Sequence, residues 1–188
     1  MRTCSRIAAA CLLCVGLIAS AARAQTDTLR SQPGYVDFTS VETWFDAEAT
    51  VEITLQGTLL DLVASASESS DPEFSEVVRS LQGIQVRGYP AEGLSPDALN
   101  DRTRELTTLL EDQGWERALY VREGREASYV YVRHDGGTIA GLTILSTNPN
   151  EESVFVNIVG SIRPEQIQKL GQELEIESLE TLNTKSQG

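Results

Sequence analysis

The chain is short of the residues that carry most enzyme chemistry. Its 188 residues hold one histidine, His134, and three cysteines, Cys4, Cys11 and Cys14. One imidazole without thiolates is too few for a zinc or other transition-metal site. It also leaves a Ser-His-Asp arrangement with one candidate base. That base sits beside Asp135 in a predicted hairpin turn, where exposed backbone holds a triad poorly. Lysine is scarce too: Lys169 and Lys185 stand alone and the other basic residues are arginine. Fifteen basic residues against 28 acidic ones give a net charge of −13. That balance argues against nucleic acid, where basic patches supply most of the affinity, and against an anionic membrane surface. Gly136-Gly137 and Gly141 fit neither the P-loop nor the dinucleotide spacing.

All three cysteines lie in the first 24 residues, which read as a secretory signal peptide. Arg2 and Arg6 make a positive start, Ile7 to Ala22 is an apolar run, and Ala22-Arg23-Ala24 is a small-x-small cleavage pattern before Gln25. The run is short for a spanning helix. Leu12 and Leu13 precede Cys14, and Cys11 sits early in the apolar run, so lipoprotein processing is disfavoured. The expected product is exported, periplasmic or extracellular, without stable membrane insertion after cleavage. Loss of three arginines would leave 12 basic and 28 acidic residues, a balance of −16, and no cysteine for a disulfide or thiolate. The 164 residues remaining suffice for one domain with its own core.

Four runs between Gly114 and Ile162 alternate as strands with turn chemistry between them: Trp115 to Arg122, Glu126 to Arg133, Thr138 to Ser146 and Glu152 to Gly160. Period two puts Trp115, Leu119, Val121, Val130, Val132, Leu142, Ile144, Val154, Val156 and Ile158 on one side. The turns suggest Val121 opposite Glu126, Val132 opposite Thr138 across His134-Asp135-Gly136, and Ile144 opposite Val154. Tyr120, Tyr129, Tyr131, Ile139, Phe155 and Val159 then share the other side, with Tyr129 over Gly141. This second side is too apolar for a solvated face. Either the chain covers it or a partner does, and Tyr120, Tyr129, Tyr131 and Phe155 form the candidate interaction face.

Around this meander the pattern predicts a strand at Val51 to Leu55 and helical spacing at Leu59, Leu60, Leu62 and Val63. A polar break follows at Ser65 to Asp71, then a helix from Pro72 through Gln82 and a strand from Ile84 to Tyr89. Ser95-Pro96 starts a further helix with Leu99, Leu106, Leu109 and Leu110 inward. A last helix opens at Arg163-Pro164 with Ile167, Leu170 and Leu174 inward, before a short tail bearing Ile176, Leu179 and Leu182. Residues 25–49 lack a clean period but carry Tyr35, Phe38, Trp44 and Phe45, with a short helix expected near Val41 to Phe45. They are the first candidate for covering the tyrosine side. The expected fold is α+β: a mainly antiparallel sheet, its meander at about 115–160, with helices packed on it. The expected organisation is a leader at 1–24, an irregular segment at 25–49, one domain at 50–182 and a frayed tail at 183–188.

The strand Val51 to Leu55, the stretch Gly83 to Pro90, and Val156-Asn157-Ile158-Val159-Gly160-Ser161-Ile162 followed by Pro164-Glu165-Gln166-Ile167 and Leu170 resemble the bacterial domain of unknown function family 4252. The resemblance runs over about Gly34 to Leu179. It implies an exported envelope protein of no established activity and supplies no catalytic residues.

Carboxylates are the remaining source of chemistry. Asp97, Asp101 and Glu105 share a helix face with Arg102 and Arg104 nearby, which reads as a charge-laced surface. Glu151-Glu152 beside Asn148 and Asn150 could offer oxygens to calcium, but without EF-hand spacing they read as a polar loop. Gly124 with Arg122 and Arg125 could attract an anion at a hairpin end. No catalytic, cofactor or metal residues are assigned. The expectation is a non-enzymatic binding or interaction module whose partner is an envelope protein or small ligand. Next comes a structural or assembly subunit pairing through the sheet, as a homo-oligomer would. A carboxylate-dependent hydrolase comes last, since it needs two acids facing across a cleft.

Overall fold

The structure, a computed structural model, describes residues 28–45, 47–90, 94–163, 166–167 and 169–170. The leader with its cleavage site at Ala22, Ala24 and Gln25, and Leu174, Ile176, Leu179 and Leu182 of the tail, lie outside the described residues. In chain order the elements are α1 (Thr39–Glu42), β1 (Val51–Gln56), α2 (Thr58–Ser67), α3 (Pro72–Ser80), β2 (Leu81–Pro90) and α4 (Pro96–Asp112). The strands β3 (Glu116–Glu123), β4 (Glu126–Asp135), β5 (Thr138–Thr147) and β6 (Glu152–Ile162) follow. All six strands form one antiparallel sheet in the order β1-β2-β6-β5-β4-β3, so the fold is α+β and its last four strands are a meander.

Alternation gives the sheet two apolar faces, and the chain covers both. On the first, Leu119, Val130, Leu142, Ile144, Val156, Ile158 and Ile84 join one core. Leu60, Ala64, Phe74 and Val78 of the α2–α3 pair pack into it, with Ile167 and Leu170. Asp71 starts α3 by accepting the Phe74 N–H at 2.9 Å, with Pro72 in the first turn. Ser75 ties the two helices together by donating its hydroxyl to the Ala64 carbonyl at 2.8 Å.

On the second face Tyr131, Leu145 and Phe155 lie beneath Val36, Phe38, Val41 and Phe45 of the N-terminal segment and Leu99, Leu106 and Leu110 of α4. Ser95 caps α4 by accepting the Ala98 N–H at 3.2 Å. Two devices hold the N-terminal segment down. Asn157, fully buried in β6, accepts the Val36 N–H at 3.0 Å and donates to the Gly34 and Leu142 carbonyls at 2.9 and 3.3 Å. Gly34 also lies directly on Gly141: a Cβ on Gly141 would come within 2.4 Å of Gly34 Cα and 2.8 Å of the Trp115 ring. Neither position has room for a side chain.

The register departs from the expected one by even steps. Val121 faces Ser128, Val132 faces Leu142, and Ile144 faces Val156. An even slip keeps every side chain on its face, so the faces survive while the pairs change. Tyr129 accordingly faces Leu145, and Gly141 faces Arg133. The β4–β5 turn is Gly136-Gly137, both at positive φ (56° and 91°), which leaves His134 in β4 rather than in the turn. Two of the residues assigned to a face from sequence change sides. The register shifts between Arg117 and Leu119 and again between Ile139 and Gly141, and each bulge inverts the alternation beyond it. Trp115 therefore belongs to the second core and Ile139 to the first. Among the helices, α2 runs through Ser67, α3 stops at Ser80, and Leu109 is 51% exposed rather than part of the buried stripe of α4.

Candidate functional site

The four aromatic residues of the candidate interaction face have two different fates. Tyr131 and Phe155 are both 0% exposed, sealed by the chain itself, and so present no surface. Phe155 meets the rings of Phe38 at 6.0 Å, Trp44 edge-on at 5.8 Å and Tyr89 at 6.3 Å. The Tyr131 hydroxyl donates to Glu111 Oε1 of α4 at 2.9 Å. Burial first, then the Glu111 carboxylate, push its phenol up to about 12. The expectation of one four-ring surface is corrected: the amphipathic cover that the apolar face required comes from α4 and residues 34–45.

Tyr120 and Tyr129 remain, facing each other on β3 and β4 at the margin of the sheet. Their rings lie 4.8 Å apart, tilted by 32°, and Tyr120 is 42% exposed. They line a cleft of about 620 Å³ between the β3–β4 hairpin and the N-terminal half of α4. That volume lies within the range of small-molecule sites. Arg117 and Arg122 share the hairpin wall, while Asp97, Asp101 and Arg104 come from α4.

Arg117 is in the cleft because of the bulge. Regular alternation would place it beside Leu119, on the opposite face. The extra residue at Ala118 pairs Arg117 with Tyr131 and turns it to the tyrosine side. Its guanidinium carbon stands 5.9 Å from the centre of the Tyr120 ring, within cation–π range. Arg122 donates its Nε–H to the Tyr120 hydroxyl at 2.6 Å. That bond, then one to Tyr129, holds the Arg122 pKa above its ordinary value. Burial first, then the neighbouring Tyr120, raise the Tyr129 phenol, so it stays protonated at neutral pH.

Arg79, Arg87, Arg102, Arg104 and Arg163 each pair with an acid. Among the described residues Arg117 and Arg122 have no carboxylate within ion-pair distance. Across the cleft Asp101 is engaged by Arg104 at 2.9 Å.

The other acids considered from sequence are spent on structure. Glu105 pairs with Arg102 at 3.3 Å on the exposed side of α4. Asn148 donates to Glu126 at 2.9 Å and Glu151 at 3.5 Å, and Glu152 contacts Thr50. His134 lies 3.8 Å from Glu116 with about half its side chain exposed. Among the described residues no group of three His, Cys, Asp or Glu side chains could hold a metal ion. The cleft's two acids come from consecutive turns of one helix, and the facing wall contributes no acid. Sequence reasoning found the tyrosines and Arg122 but missed Arg117, since a bulge leaves no mark in an alternating run.

The family model described as Domain of unknown function (DUF4252) matches residues 44–170. The chain belongs to this family. The match spans more than half the chain and takes in all six strands, α2 to α4 and every residue of the cleft. No curated protein and no solved structure is a significant match. Among the described residues no helix is long and apolar enough to cross a membrane.

Proposed function

We propose that this family member is an exported, non-enzymatic binding module of the bacterial envelope, and that its recognition surface is the cleft at the β3–β4 hairpin. One observation carries the reading. In a chain of net charge −13, two arginines without acid partners among the described residues stand beside two tyrosine rings in a cleft of small-molecule size. Tyrosine and arginine are the residue types that concentrate binding energy, because each offers a flat apolar body with hydrogen-bonding ends. The absence of an opposed carboxylate pair in the cleft supports binding over glycoside hydrolysis. Export rests on the leader sequence, and N-terminal sequencing of the secreted chain is expected to begin at Gln25.

The binding test is protein-observed NMR on the mature chain with a panel of small charged and aromatic compounds. Shifts should cluster on Tyr120, Tyr129, Arg117 and Arg122 and vanish in a Tyr120→Ala/Arg122→Met variant. Hits that ignore that double variant would move the site elsewhere. Assembly is a second reading, favoured by β1 and β3 both being sheet edges. A purely monomeric sedimentation profile at micromolar concentration would dismiss it.

A further inference from the structure

The charges of the cleft are not of one sign, and their arrangement restricts what it can hold. The hairpin wall offers Arg117 and Arg122, neither paired with an acid among the described residues. The α4 wall offers Asp97 and Asp101, one helical turn apart, with Arg104 bound to Asp101. Between them stand the rings of Tyr120 and Tyr129.

Resting on the binding-module reading, we infer that the cleft is built for a zwitterion with a flat apolar body: an aromatic α-amino acid or a short peptide ending in one. The ligand carboxylate would sit on the guanidiniums of Arg117 and Arg122, whose planar donor forks match a carboxylate's two oxygens. The ligand ammonium would lie toward Asp97, which has no ion pair among the described residues, and Asp101. The apolar body would cover the exposed Tyr120 ring. A phosphate dianion fits the same arginines less well, because Asp97 and Asp101 stand on the facing wall and repel it. A simple cation is opposed by the two guanidiniums. Only a molecule carrying both charges satisfies both walls. The volume of about 620 Å³ suits an amino acid or dipeptide, not a protein surface.

The experiment titrates the mature chain with L-phenylalanine and L-alanyl-L-phenylalanine, following the side-chain NMR signals of Tyr120, Tyr129 and the arginines. L-phenylalaninamide lacks the carboxylate, N-acetyl-L-phenylalanine lacks the ammonium, and inorganic phosphate lacks both the ring and the amine. Removing either ligand charge is expected to weaken binding about tenfold or more, as loss of one charge-assisted contact does. The variants should separate the walls. Arg122→Met should weaken the amino acid and leave the amide unchanged, whereas Asp97→Asn should weaken the amino acid and leave the acetylated compound unchanged. A tighter grip by the dipeptide than by the free amino acid would assign the site to peptide ends. The inference is overturned if both blocked compounds bind as well as phenylalanine, or if neither zwitterion shifts the cleft at about 10 mM, beyond the weakest useful affinity. If phosphate shifts the cleft and phenylalanine does not, the zwitterion assignment fails while the binding-module reading stands. If none of the panel that binds responds to the cleft variants, both fail.

Discussion

Single side chains in this protein are asked to do two different things. Asn157 is structural: its amide makes three hydrogen bonds to backbone groups of the N-terminal segment and β5 while fully buried. Asn157→Leu would strand the Val36 N–H and the Gly34 carbonyl, and a loss of about 3 kcal/mol in urea unfolding is expected. Tyr131 is structural as well. Its phenol is raised to about 12 in the folded chain against an ordinary value of 10.0. The folded state therefore holds this proton more tightly than the unfolded state. The stabilisation is complete below pH 10 and is lost as the pH rises toward 12. Tyr131→Phe should remove that part of the alkaline destabilisation and cost about 1 kcal/mol at neutral pH. Denaturant unfolding of both proteins across this window checks the sign. Arg117 and Arg122 are the opposite case, exposed donors whose loss should leave the unfolding midpoint within about 0.5 kcal/mol of the native chain.

At the scale of elements, alternation in the sequence was enough to find the strands and sort their faces, and not enough to pair them. Shifting β4 against β5 by four residues leaves Val130 and Val132 facing the same core. Only the turn distinguishes the registers, and Gly136-Gly137 takes the two-residue hairpin because both residues tolerate positive φ. The bulge at Ala118 was illegible for a related reason: Glu116 to Arg122 reads as an unbroken strand, in which period two would set Arg117 beside Leu119. The caps at Asp71 and Ser95, by contrast, announce themselves through the prolines that follow. Ser95→Ala should cost about 1 kcal/mol. Gly141→Ala should cost more, about 2 to 3 kcal/mol, because its Cβ would strike Gly34 backbone and the Trp115 ring. Limited proteolysis should then cut before residue 49 in this variant and not in the native chain.

Among the described residues the sheet is covered on both sides, and the second face opens at the Tyr120–Tyr129 end. The covering was foreseeable, since a sheet whose alternation gives two apolar faces must bury both. Its extent was not, because residues 34–45 have no period that reveals a partner. The central claim is that the chain closes its own aromatic face over Tyr131 and Phe155 and leaves the Tyr120–Tyr129 end open. Nitration by tetranitromethane, mapped by mass spectrometry on the native mature protein, tests it most directly. Tyr120 should be modified readily while Tyr131, 0% exposed, and Tyr89, 2% exposed, remain untouched until the protein unfolds. Equal nitration of Tyr131 and Tyr120 in the folded protein would contradict the account.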